Sequence, residues 1–84
     1  PEPLKAKITN IQNSSGGSII TINRGKNAKV DKGWKGVVLI KGTTKPLPSG
    51  EFTVTRVTDG ECIARVPLTY DQVNANREVM LSPP

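Results

Sequence analysis

The chain has 84 residues, a formal net charge of +5, 35% hydrophobic residues, one Cys and no His. This length allows one domain with a small core. Without His there is no Ser-His-Asp or Cys-His catalytic site and no His-ligated zinc. One Cys forms neither an internal disulfide nor a multi-thiolate metal site. The 8 Val, 7 Ile and 8 Thr favour strands over helices. We therefore expect a single β domain over residues 1–84 that is not an enzyme and holds no metal or cofactor.

The first quarter of the chain predicts two strands joined by a flexible turn. Apolar and polar residues alternate from 4 to 9, as they do in a half-buried strand. The pattern then slips to Ile11, which predicts a β-bulge near Asn10. A turn rich in Ser and Gly follows at 13–17, and residues 18–24 form the second predicted strand. Apolar residues on both of its faces suggest that this strand is central.

The next twelve residues, 25–36, show no clean alternation and predict a glycine-punctuated loop. Gly25 and Gly33 are expected where a Cβ would obstruct the backbone conformation. Val30 is the one β-branched apolar residue between them, and we expect it to hold the loop to the core.

The rest of the chain predicts four more strands and one helical turn. In chain order the expected elements are a strand at 37–41, a proline-containing loop at 42–50, a hairpin of strands 51–58 and 61–66 with Asp59-Gly60 at its turn, a helical turn around 71–73 and a last strand at 78–81. Thr69 and Gln72 have the spacing of a capping box. Arg56 interrupts the apolar face of its strand, which predicts a second bulge and an ion pair with Glu61 across the hairpin. Cys62 lies on an alternating apolar face, where a buried thiol is expected rather than a nucleophile.

Six short strands on 84 residues fit a small all-β barrel, closed or half open, mostly antiparallel, with at most one short helical turn. The proline-containing ends at 1–3 and 82–84 are interpreted as linker remnants of a larger protein. The longest apolar run covers only 37–40, so we expect no membrane span.

Positive charge is concentrated in the first half of the chain and most densely in one loop. Lys26, Lys29, Lys32 and Lys35 recur at every third position, with Trp34 beside the last. These five residues are the candidate partner- or anion-binding site. In one interpretation they form a cationic rim with a stacking aromatic, able to hold single-stranded nucleic acid or an anionic glycan. In the other, the lysines are solvated and Trp34 covers one end of the barrel.

Two segments carry a resemblance to known proteins. ITINRGKNAKVDKGWKGVVLI at 20–40 has a glycine-spaced loop between strands, and EFTVTRVTDGECIARV at 51–66 is a hairpin. Over residues 18–81 the chain resembles small β-barrel domains of bacterial envelope and secretion proteins, such as the MreC β domain and the C-terminal domain of a flagellar assembly protein. The resemblance implies a non-catalytic assembly role and supplies no catalytic residues. The segments 42–50 and 69–76 depart from it.

We therefore expect a non-enzymatic structural or protein-interaction module of a larger bacterial envelope, secretion or injection-system protein. Its partner would be another protein or the neighbouring domains of the parent chain, in the cell envelope or after secretion. One alternative is a nucleic-acid-binding barrel that uses the basic N-terminal half. Another is an accessory domain of a secreted hydrolase or toxin.

Overall fold

The computed structural model describes residues 2–84 and contains a closed barrel of six strands in the order β1-β2-β5-β4-β3-β6, every neighbouring pair antiparallel. The elements are β1 (Leu4–Ser14), β2 (Gly17–Ile22), a 3-10 turn (Lys26–Ala28), β3 (Lys35–Leu39), β4 (Pro46–Val57), β5 (Cys62–Val66), α1 (Tyr70–Ala75) and β6 (Glu78–Ser82). The predicted six-stranded all-β barrel with one short helix is confirmed. Of the predicted linker residues, Pro1 lies outside the described part, and Ser82 is the last residue of β6.

Several local features follow the sequence pattern closely. The β1–β2 register shifts between Ile8 and Asn10, so the bulge predicted near Asn10 is confirmed. The second predicted bulge lies between Val54 and Arg56 on β4. At the start of α1 the backbone N–H of Gln72 donates to the Thr69 hydroxyl, and the Gln72 side-chain oxygen accepts from the Thr69 N–H. This reciprocal pair is the predicted capping box, which satisfies N–H groups that the first helical turn leaves free.

The proline-containing segment 42–50 was wrongly expected to be a loop throughout, because β4 already begins at Pro46. Pro46 pairs with Leu39, whereas Val37 pairs with Glu51, so β4 has several extra residues between these two pairs. The intervening residues 47–50 are irregular: Ser49 has a φ of 65°, Leu47 packs against the core and Gly50 is buried. Prolines are tolerated at such irregular positions because no ladder N–H is needed there.

The predicted ends of two strands and one predicted ion pair are wrong. β2 ends at Ile22 rather than at residue 24, and β3 spans Lys35–Leu39 rather than 37–41. Arg56 and Glu61 form no ion pair, since Arg56 lies opposite Ile63 in the ladder. At the hairpin turn, the Thr58 N–H donates to the Glu61 carbonyl at 2.8 Å.

Inward-facing side chains fill the barrel, and two connecting segments cover its ends. Residues 23–34, between β2 and β3, cover one end and contribute the buried Val30. Residues 67–77, between β5 and β6, cover the other and contribute Val73. The Ser18 hydroxyl donates to the Leu68 carbonyl at 2.8 Å, which fixes the second segment to β2. The interior is therefore a packed core, as expected for a barrel of this size.

Candidate functional site

The predicted lysine-rich site lies on the segment that covers the first end of the barrel. We call residues 26–32 the lysine loop. It packs against the turn of the β4–β5 hairpin, where the Lys26 N–H donates to the Thr58 carbonyl and the Asn27 N–H to the Asp59 carbonyl, each at 2.9 Å. A Cβ on Gly25 would overlap the Thr58 carbonyl, so glycine is required for this close approach. Gly25 was expected to have a backbone conformation that a Cβ obstructs, but its φ is −147° and the need for glycine comes from this contact; Gly33, with a φ of 87°, has the expected conformation.

Trp34 lies in the core rather than on the surface. Its residue is 5% exposed, and its carbonyl accepts the Val54 N–H at 2.8 Å. Stacking on a nucleobase or sugar requires an accessible ring face. The burial of the ring agrees with the interpretation in which the lysines are solvated and Trp34 covers one end of the barrel.

The four lysines of the predicted site are exposed, but they do not form one uniform patch. Lys35 is on β3, where its ammonium donates to the Thr53 hydroxyl at 2.9 Å. Three carboxylates lie on the lysine loop or on the hairpin turn against which it packs. They are Asp31, Asp59 and Glu61, and they match the three lysines of the loop in number. Within residues 26–32 and the hairpin turn, lysines and carboxylates are therefore equal in number, and the further basic residues at this end of the barrel are Arg24 and Lys35.

A second group of basic residues, which the sequence did not single out, lines a cleft beside β6. Lys7 of β1, Lys41 after β3 and Arg77 before β6 surround a cavity of about 560 Å³, which is also lined by the exposed Ala75 and by Ile8, whose side chain is buried in the core. We call this cavity the cationic cleft. Its three cations are brought together because β6 pairs with both β1 and β3.

The positive surface continues from the cationic cleft over β1 into a smaller groove. Lys5 and Arg24 line that groove together with Lys7, which both cavities share. Among residues 2–84, Glu78 is the one carboxylate that lines these cavities; it lines both, and its Oε2 lies 3.7 Å from the Lys5 ammonium. Five cations therefore face one carboxylate, and they are Lys5, Lys7, Arg24, Lys41 and Arg77.

Arg77 is held in place by the protein. Its Nε and Nη2 donate to Asn74 Oδ1 at 3.1 and 2.8 Å, and Nη1 donates to the Ile8 carbonyl at 3.1 Å. A guanidinium has five N–H donors. Within residues 2–84, two of the five have no acceptor, so the fixed group retains two donors for a carboxylate or phosphate.

Hydrogen bonds also fix the two walls of the cationic cleft to each other. The Lys41 N–H donates to Asn76 Oδ1 at 2.8 Å, and Asn76 Nδ2 donates to the Gln72 carbonyl at 2.8 Å. On the other wall, the Ile8 N–H donates to the Arg77 carbonyl at 2.7 Å. The cleft is thus preorganised, which lowers the entropic cost of binding.

Two other features bear on chemistry. Cys62 is buried, as predicted, and desolvation raises the pKa of its thiol from 9.0 to about 11. The thiol is therefore protonated at neutral pH and is a poor nucleophile.

An apolar groove of about 460 Å³ lies on the outer side of the barrel, lined by Val37, Leu47 and Met80 among others.

In residues 2–84 no group of three or more His, Cys, Asp or Glu is arranged to hold a metal ion. Nor does the described part of the chain include a helix with the length and apolar content needed to cross a bilayer. No family model, curated protein or solved structure matches the chain.

Proposed function

We propose that this domain is a non-enzymatic protein-interaction module of a larger bacterial envelope, secretion or injection-system protein. The observation that carries the proposal is where its binding features lie. The barrel interior is filled by side chains and its ends are covered, while the two features suited to binding are on the outside. A partner would therefore be held by the outer wall rather than enclosed.

Both outer features include residues of one strand, β6. The apolar groove includes Met80, and the cationic cleft includes Glu78 and Arg77. Protein interfaces commonly combine an apolar centre with charged groups at the rim, and Met and Arg are enriched in them. The resemblance of residues 18–81 to assembly domains of envelope and secretion proteins supports the same role.

Nucleic-acid binding is the second candidate, and the five cations of the cationic cleft and its adjoining groove favour it. A nucleic acid would bind through its phosphates, with affinity that falls steeply as salt rises. Stacking would have to use Tyr70, which is 41% exposed, because Trp34 and Phe52 are buried. Tyr70 does not line the cationic cleft. We therefore place this function second.

Affinity capture separates the two candidates. The 84-residue chain is immobilised and incubated with a lysate of the cells that produce the protein, once with nuclease and once without. The proteins that it retains are then identified. Each is then purified and tested alone for direct binding. Direct binding of a purified envelope or secretion protein, unchanged by nuclease, supports the proposal. Retention that disappears after nuclease treatment, or reproducible turnover of a substrate by the chain, contradicts it.

A further inference from the structure

We propose that the cationic cleft binds an acidic segment of a protein partner, with Arg77 gripping one carboxylate and Lys7 and Lys41 attracting its neighbours. This inference rests on the proposed function and specifies the chemistry of the partner. The first reason is charge: the three cations face Glu78 alone, whose carboxylate is close to Lys5. The cleft therefore has an excess of positive charge that an acidic segment complements.

The second reason is the state of Arg77. Most surface arginines lose side-chain entropy when they bind, but this one is already held by Asn74 and Ile8. Its two remaining N–H donors, one on Nη1 and one on Nη2, are left to bind carboxylate oxygens, and a lysine ammonium lacks this planar arrangement of donors. Arg77 thus supplies a preformed anchor.

The third reason is the apolar part of the cleft, which favours a peptide over a nucleic acid. Ala75 lines it, and Ile40, which precedes the lining residue Lys41 but does not itself line the cavity, is among the exposed large apolar residues of the described chain. An acidic peptide can pair a carboxylate with Arg77 while placing an apolar side chain against Ala75. Single-stranded nucleic acid normally adds stacking on an aromatic ring. No aromatic residue lines this cavity among residues 2–84.

The test uses two fluorescein-labelled probes, a peptide of eight glutamates and an oligonucleotide of eight deoxythymidines, measured by fluorescence anisotropy in about 50 mM NaCl. The cleft double variant is Lys7→Gln with Lys41→Gln. Its matched control is Lys29→Gln with Lys32→Gln on the lysine loop, which lowers the net charge equally. Thermal unfolding of each variant checks that the fold is retained.

The acidic peptide is expected to bind the wild-type chain, and the cleft double variant to weaken it roughly tenfold. The lysine-loop control should change affinity by less than about twofold. Arg77→Lys keeps the charge but removes the guanidinium, and about a threefold loss is expected. Arg77→Lys should still bind the peptide more tightly than Arg77→Gln, because lysine keeps the positive charge that glutamine removes.

Three results would overturn the inference. They are no peptide binding in about 50 mM NaCl, equal losses in the two double variants, and tighter, equally cleft-dependent binding of the oligonucleotide. The proposed function is judged separately with the purified captured protein. If that protein binds the wild-type chain and the cleft double variant equally, the interaction role stands and the cleft assignment fails.

Discussion

The lysine loop and the cationic cleft are both rich in basic side chains, but their surroundings differ. Lys26, Lys29 and Lys32 lie with three carboxylates, whereas the five cations of the cleft and its adjoining groove share Glu78. The loop is fixed by backbone contacts with a hairpin turn. The cleft is fixed by side-chain bonds that orient Arg77. The number of lysines in a segment therefore does not by itself give the charge of the surface that it forms, because the carboxylates that folding brings beside it also count.

The largest expected effect tests whether Trp34, at the loop end of the barrel, is a structural residue or a binding residue. Trp34→Ala should lower the free energy of unfolding by about 3–5 kcal/mol, because it leaves a cavity in the core. Urea denaturation measures the change. Tyr70→Ala, at the exposed aromatic, should cost less than about 1 kcal/mol. Equal effects of the two substitutions would contradict the buried placement of Trp34.

The next effect tests whether the lysine loop is fixed on the hairpin turn. In Gly25→Ala the new methyl group meets the Thr58 carbonyl, so the backbones must separate, and a loss of about 1–3 kcal/mol is expected. Gly60→Ala is the matched control, since a Cβ there meets nothing within 4 Å. Its unfolding free energy should stay within about 0.5 kcal/mol of wild type. Similar unfolding midpoints for both variants would show that the contact is dispensable.

Cys62 reports on the same end of the barrel, because it pairs with Ile22 at the point where β2 enters the lysine-loop segment. Its folded-state pKa is raised to about 11 from 9.0, so the unfolded state loses this proton first. Stability from the neutral buried thiol is therefore complete below about pH 9 and falls as pH rises to about 11. Denaturation of wild type and Cys62→Ala at several pH values measures it. In Cys62→Ala the free energy of unfolding should lack the part of this decline that comes from the thiol. Parallel pH profiles for wild type and Cys62→Ala would contradict the raised pKa of Cys62.

The smallest effect concerns the carboxylates beside the lysine loop. Asp59→Asn with Glu61→Gln removes two of them and should raise the salt concentration that elutes the chain from a sulfated resin. Glu51→Gln with Asp71→Asn changes the net charge equally at positions away from the hairpin turn. The first pair should bind the resin roughly twofold more tightly than the second. Identical elution would mean that Asp59 and Glu61 do not mask the loop.

Local sequence patterns predicted most of the fold. Alternation, the Asp59-Gly60 turn and the Thr69–Gln72 capping box each depend on neighbours in the chain, and all three are present. The strand beginning at Pro46 was missed because its prolines are typical of loops, and the pairing that makes it a strand comes from the distant Leu39. Burial of Trp34 likewise depends on the whole loop segment folding back over the barrel.

The cationic cleft could not be predicted because its residues are far apart in the chain. Lys7, Lys41 and Arg77 converge only when β6 inserts between β1 and β3. The orientation of Arg77 further depends on the Ile8 carbonyl, which is 69 positions away in sequence. Regularly spaced lysines and Asp31 were visible in the sequence, whereas Asp59 and Glu61 come near them only through the packing of two turns.

The most direct test of the account is to map binding residue by residue. The labelled chain is titrated with the octaglutamate peptide while its backbone amide resonances are followed by NMR. We expect the largest shifts at Ile8, Lys41 and Arg77, with the amides of residues 26–32 nearly unchanged. Shifts concentrated in residues 26–32, with the cleft amides unmoved, would contradict the claim that the cleft rather than the lysine loop is the anion-binding surface.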